Sequence, residues 1–272
     1  LEDNRLQSLA LSIAEAGGPQ AVPGHVRTIE ILEASGRLDR KVEGLGTSED
    51  LLRRSQEQRG LTRPELAVVL SISKIVLQDA AEDLQLADDP LLEPELFNAF
   101  PKPMRKAHAD AIRAHRLRHE IVATKVANRL VNRLGPGVAF DLMEEEGASL
   151  QQVIVAFLVA ERLLHIDKLW REIEEESLPE SVRVELFGIA AATVRSHISD
   201  ILRCAGADTS VSRALRPSRS ASRGRGTASR RRPGTRTLDA SSGPTTPPWS
   251  RRDRRCRRNA DSGASATAGP RC

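Results

Sequence analysis

The sequence predicts an all-α fold: an irregular multi-helix bundle around a long central helix, followed by a disordered Arg-rich tail. Three observations carry that expectation. Apolar residues recur at three- and four-residue spacings through the first 203 positions, and no stretch of strict alternation bounded by turn residues reads as a strand. Gly, Pro, Asp and Ser clusters interrupt the periodic stretches where helices would stop and start. At Cys204 the composition changes abruptly: from there on every cation is Arg, every acid is Asp and Ile is absent.

Taken in order, Leu6 to Ala16 forms a first short helix ended by Gly17 and Gly18, and Val26 to Ser35 a second stopped by Gly36. Gly44 and Gly46 mark a loop. The strongest start signal is GLTRPEL, where Thr62 and Glu65 suit a reciprocal cap and Pro64 sits in the first turn, opening a helix from Arg63 to about Asp83. Its Leu66, Val69, Leu70, Val76 and Leu77 form one apolar stripe. Asp88, Asp89 and Pro90 break the pattern, a short helix around Pro94 to Phe100 follows, and Pro101 and Pro103 break it again.

The longest helix is expected from about Met104 to Leu134, before Gly135-Pro136-Gly137. Ile112, Val122, Val126, Leu130 and Leu134 fall on one of its faces and Leu117, Ile121 and Val131 on another, which predicts neighbours on both sides. Val138 to Glu146, Leu150 to Leu164 with Ser149 as cap, Asp167 to Glu176, and Pro179 to Arg203 complete the helices.

The net charge of +4 averages an acidic body with a strongly basic tail. Domains are therefore expected at 1–203, helical, and 204–272, a tail too poor in apolar residues to offset its ordering entropy. Clustered Arg suits phosphate binding. The one-sided usage of Arg over Lys and Asp over Glu fits GC-rich DNA read in a shifted frame instead, so nucleic acid is not the expected partner. Cys204, Cys256 and Cys272 have no paired spacing for zinc or a disulfide framework. No apolar run approaches the roughly 18 residues that span a bilayer, and no basic-then-apolar leader is present. The expectation is a cytoplasmic chain without membrane contact and, since it starts at Leu1, a piece of a longer reading frame.

Each chemical motif has a plain structural reading beside it. Gly44-Leu45-Gly46 lacks the third glycine and preceding strand of a dinucleotide turn. His108, His115 and His119 share one face of the expected long helix, but HRLRHE lacks the zinc-protease order, so satisfied, partly buried imidazoles are expected. Arg118, Lys125 and Arg129 form a basic strip, read as a solvated or salt-bridged face with Glu144, Glu145 and Glu146 as candidate partners near in sequence. Asn128 and Asn132, one turn apart, are read as satisfying neighbouring backbone or fixing packing. The acidic run Glu172 to Glu176 reads as a helix surface.

Several strings in one order then resemble the C-terminal region of the large bacterial NAD-specific glutamate dehydrogenases: GLTRPELAVVL at Gly60 to Leu70 with Ser73-Lys74, FPKP at Phe100 to Pro103, HRLRHEIVAT at His115 to Thr124, ANRLVNR at Ala127 to Arg133 and DLMEEEGAS at Asp141 to Ser149. Asp3-Asn4 with Gln7, and GRLDR at Gly36 to Arg40, are similar too; Arg5 and Ile72 stand where that family would have Tyr. The resemblance implies a parent enzyme that oxidatively deaminates L-glutamate to 2-oxoglutarate and ammonia with NAD. Its catalytic lysine and nucleotide-binding sheet would lie upstream of Leu1, since none of Lys41, Lys74, Lys102, Lys106, Lys125 and Lys168 sits in a glycine-rich loop. No residue of this chain is assigned a catalytic, NAD-binding or metal role. The region would be a helical brace or assembly element whose partners are the catalytic domain and, in the full-length enzyme, further copies. A free-standing helical interaction module, or nucleic-acid binding through the Arg tail, is the alternative.

Overall fold

The computed structural model describes residues 2–205, so the expectations for the basic tail beyond Ala205 lie outside the described residues. Among the described residues the fold is entirely helical, with no strand.

The first layer is α1 (Glu2–Ala16), α2 (Gly18–Ala34), α3 (Arg40–Glu43) and α4 (Ser48–Gln56). Helix α2 begins eight residues before its expected start: Pro19 falls in its first turn, where a missing amide costs least, and Pro23 lies inside the helix. Helix α4 was not expected. Its sequence carries no apolar stripe, only a local start: the Thr47 hydroxyl accepts from the Asp50 amide (3.1 Å), and a single residue, Leu51, is buried. Val22, Val26, Ile29, Leu32, Leu45 and Leu51 meet Leu66 and Val69 of α5 (Arg63–Glu82) to form one apolar cluster, into which Phe140 is inserted. At the start of α5, Glu65 accepts from the Thr62 amide (2.7 Å) and hydroxyl (2.9 Å), the reciprocal cap that GLTRPEL predicts.

The C-terminal half of α5 turns Leu70, Leu77, Ala80 and Ala81 to a larger cluster. Two short 3₁₀ turns, Leu86–Asp88 and Pro90–Leu92, lead to α6 (Glu93–Asn98). The single helix expected from Met104 to Leu134 is three: α7 (Lys102–Ala107), α8 (Ala109–Arg113) and α9 (Arg118–Leu134). No Gly or Pro marks the breaks. Tertiary contacts make them: Ile112 is buried, Arg113 donates to Glu93 (2.6 Å) while lying over the Phe97 ring, and His115 meets Phe100 edge-on with ring centres 5.5 Å apart.

Helix α9 packs along α5 and buries Val122, Ala123, Val126, Ala127, Leu130, Val131 and Leu134. The second apolar face expected on it is only partly covered. Val131 is buried, but Ile121 is half-buried and Leu117 is 50% exposed, because no described helix covers that side. After the Gly135-Pro136-Gly137 turn come α10 (Val138–Glu146), α11 (Leu150–Leu164), α12 (Ile166–Glu175) and α13 (Glu180–Ala205), close to the expected limits. Helix α11 is apolar around its whole circumference and buried from Val153 to Glu161, as a helix with neighbours on every side must be. No single helix among the described residues is long and apolar enough to cross a membrane.

Candidate functional site

The concave feature of the fold lies along the uncovered side of α9. A cavity of about 400 Å³ is lined by Leu117, Glu120, Ile121, Lys125, Asn128 and Asn132 and reaches Arg129 and Arg133. A second cavity, of about 620 Å³, shares Glu95, Arg129 and Arg133 with it and extends to Glu161, Trp170 and Glu174.

Between the two runs a network of charged side chains largely removed from water. Arg129 donates to Glu95 of α6 (2.5 Å) and to Glu161 of α11 (3.0 Å). Burial opposes the charge on Arg129, but the two carboxylates outweigh it and raise its pKa. For Glu161 burial is the larger influence and pushes the carboxyl up to about 7; the shared Arg129 opposes the shift and neighbouring Glu95 adds to it. One turn on, Arg133 pairs with Glu174 of α12. Its guanidinium also lies 5.2 Å from the Trp170 ring centre and 5.4 Å from that of Phe187, and the two rings stack at 5.1 Å. Two arginines of one helix thereby tie α6, α11, α12 and α13 to α9. Arg129 thus meets two carboxylates, whereas Arg133 has one, Glu174, and the faces of two rings.

The basic strip expected on the central helix therefore comes apart. Arg118 donates to Asp88 (3.1 Å), Arg129 enters the network, and Lys125 has no partner among the described residues. The three glutamates expected to pair with the strip go elsewhere. Glu144 faces Arg27 (3.9 Å), Glu145 accepts from Arg195 (2.7 and 2.8 Å), and Glu146 accepts from Arg203 (2.6 and 2.8 Å) and Ser199 (2.5 Å). Proximity in sequence misled, because α10 turns its acidic end to α2 and α13. The histidines do not share a helix face either. His108 sits at the α7–α8 break, His115 in the turn before α9, and His119 lies 3.9 Å from Asp88. Among the described residues no three His, Cys, Asp or Glu side chains gather where an ion could sit. Of the two readings of the Asn pair, packing holds for Asn132, which is 8% exposed, while neither side chain hydrogen-bonds a neighbouring backbone group among the described residues. Nor is Glu172–Glu176 a plain surface, since Ile173 is buried and Glu174 is in the network.

Sequence reasoning assigned no role to Glu95, Arg133, Glu161 or Trp170. One signal was available: Glu161 directly follows the apolar run VIVAFLVA, one helical turn after buried positions, where a charge must find a partner inside the fold. The first cavity is lined by both charged and amide side chains. Its one hydroxyl, on Thr124, donates to the Glu120 carbonyl of its own helix (2.7 Å).

Residues 58–220 match the family described as "Glutamate dehydrogenase, C-terminal". The NAD-specific glutamate dehydrogenases of Halomonas elongata and Pseudomonas aeruginosa are each 35% identical over 188 residues, covering 68% of this chain and 12% of the relative. That of Mycobacterium tuberculosis is 30% identical over 179 residues, 66% of this chain and 11% of the relative. The matched stretch thus spans about one-eighth of the length of these relatives. It takes in GLTRPEL, α9 with its two network arginines, and the glutamates they hold. The chain belongs to the family of glutamate dehydrogenase C-terminal regions.

Proposed function

We propose that this chain is the C-terminal brace of an NAD-dependent glutamate dehydrogenase, and that the oxidative deamination of L-glutamate takes place in a part of the enzyme other than residues 1–203. The observation that carries this reading is the Arg129 and Arg133 network. It uses buried charges, Glu161 and Arg133 among them, to join helices, so the region is built to hold a fixed shape against which a catalytic domain or a second subunit can be positioned. The relatives named above are NAD-specific glutamate dehydrogenases of which this region is a small share, and that share leaves ample chain for a nucleotide-binding domain.

The reading is tested with purified chain, L-glutamate and NAD. No NADH should form, and NAD should not raise the melting temperature; turnover by this chain would overturn the reading. In the parent enzyme, deleting the region should lower the melting temperature and the assembled mass measured by light scattering. An unchanged mass and unchanged stability would remove the brace role while leaving the family assignment intact.

A further inference from the structure

His25 of α2 lies against the last turn of α1, where the Ala14 carbonyl is placed to accept from its ring. Its Nε2 is closed off from solvent and has no hydrogen-bond partner among the described residues. The ring belongs to the wall of a cavity of about 330 Å³ between the end of α1, α2 and the Gly135-Pro136-Gly137 turn.

The charged groups around His25 are few and mostly engaged. From α1 come Ile13 and Ala14, and the next residue, Glu15, is paired with Arg63 (2.9 Å). On α2, Thr28 donates to the Gly24 carbonyl (3.0 Å), and Arg27 faces Glu144 of α10 (3.9 Å). The Gly135-Pro136-Gly137 turn brings no titratable side chain. Asp141 of α10 lines the same cavity, but burial raises its own carboxyl, with Arg195 opposing, so it is a reluctant counter-ion. A neutral imidazole suits such a place, since a bare ring nitrogen costs less there than a charged ring with a second N–H to satisfy. Burial accordingly lowers the His25 pKa from its ordinary 6.5, with the Ala14 carbonyl opposing.

The joint beside the ring can turn. Gly17 alone separates α1 from α2, and Gly18 has φ of 53°, a conformation that glycine adopts freely. Helix α1 is also lightly seated: of its described side chains only Ala10 is buried, while Leu9, Leu11 and Ile13 are half-buried. Elements with few buried contacts open before the rest of a fold does.

We propose that His25 is an acid-sensitive latch: on acidification its ring takes up a second proton only where α1 has swung away about Gly17 and Gly18, so α1 parts from the body while the larger apolar cluster stays closed. The open form binds the extra proton more readily. Closure is therefore firm above 6.5 and weakens as pH falls below it, by up to about tenfold for each unit until the closed form itself titrates.

The test is amide hydrogen exchange of the full chain at about pH 7.5 and about pH 5.5, read by mass spectrometry and corrected for the intrinsic pH dependence of exchange. Protection in α1 should fall several-fold, by about tenfold at most, while α11 keeps its own. His25→Gln, which cannot take up the proton, should abolish the fall, and Asp141→Asn should leave it in place. Titration of the His25 ring nitrogens by NMR needs no variant and should give a midpoint below that of a histidine in a short peptide. The proposal is overturned if α1 protection does not change, if it rises on acidification as a His25–Asp141 ion pair would make it, or if α11 loses protection to the same extent. A ring that titrates at or above the peptide value, or a fall that survives in His25→Gln, would overturn it as well.

Discussion

Arg133 shows how much of this fold rests on single side chains. Its guanidinium is paired with Glu174 and faces the stacked rings of Trp170 and Phe187, so it joins α9 to α12 and α13 through charge and through the ring faces. Arg133→Ala leaves Glu174 without its partner in a poorly solvated place, and urea unfolding should show a loss of roughly 3 kcal/mol. Arg133→Lys keeps the charge but not the planar stack and should fall between the two. Glu161 yields a prediction of opposite character. With its carboxyl raised to about 7 in the fold, against about 4.5 when unfolded, the native state holds the extra proton between those values. Its contribution is therefore most favourable at low pH and is lost as pH rises from about 4.5 through about 7. Glu161→Gln, unable to titrate, should show a smaller fall in stability between pH 5 and pH 8 than the native chain. An equal fall in both proteins would place the titration elsewhere. Arg133 was not legible in the sequence as part of a site, and Glu161 only by its place at the end of an apolar run. Arg133 reads as the end of ANRLVNR, and nothing in that string says that an indole and a phenyl ring from residues 170 and 187 will stand beside it.

At the scale of the element, the helices that were legible are those with their own start and stop chemistry. Helix α11 begins at a reciprocal cap in which the Gln152 amide donates to Ser149 Oγ (3.2 Å) and the Ser149 amide donates to Gln152 Oε1 (2.8 Å). Just before it, Gly147 closes α10 with φ of 61°, a left-handed conformation open to glycine at little cost. Ser149→Ala should cost about 1 kcal/mol in denaturant unfolding, and Ser149→Asp should recover most of it. Helix α4 and the breaks on either side of α8 were not legible, and for different reasons. Helix α4 has one buried side chain and so no periodic stripe to find. The residues from Met104 to Leu117 have helical propensity throughout, and their interruption follows from the burial of Ile112 and the contacts of Arg113 and His115 with α6 and the residue just past its end. Propensity is worth tenths of a kcal/mol per residue, less than burying one isoleucine.

For the whole molecule, α5 and Phe140 are what make one body of two apolar clusters. Helix α5 contributes Leu66 and Val69 to one and Leu70, Leu77, Ala80 and Ala81 to the other, while Phe140 reaches from α10 into the cluster formed by α2 and α4. Phe140→Ala should destabilise the chain by about 3–5 kcal/mol. Native-state hydrogen exchange should quicken first in α2 and α4, which lose the ring they pack on, and less in α11 and α13. Uniform acceleration would mean that the clusters do not separate and that the fold opens as a unit.

The sequence by itself determined the helical class, the limits of α5, α10 and α11, and membership of the glutamate dehydrogenase C-terminal family. Those depend on local periodicity, on caps written within a few residues, and on several short strings kept in one order. Only the tertiary structure decided which charges meet, where the helix before α9 breaks, and which face of α9 stays open. These are set by side chains far apart in sequence that compete for the same buried space. A basic strip reads alike whether its partners are the next glutamates along the chain or, as here, Asp88 from a 3₁₀ turn and Glu95 and Glu161 from two other helices.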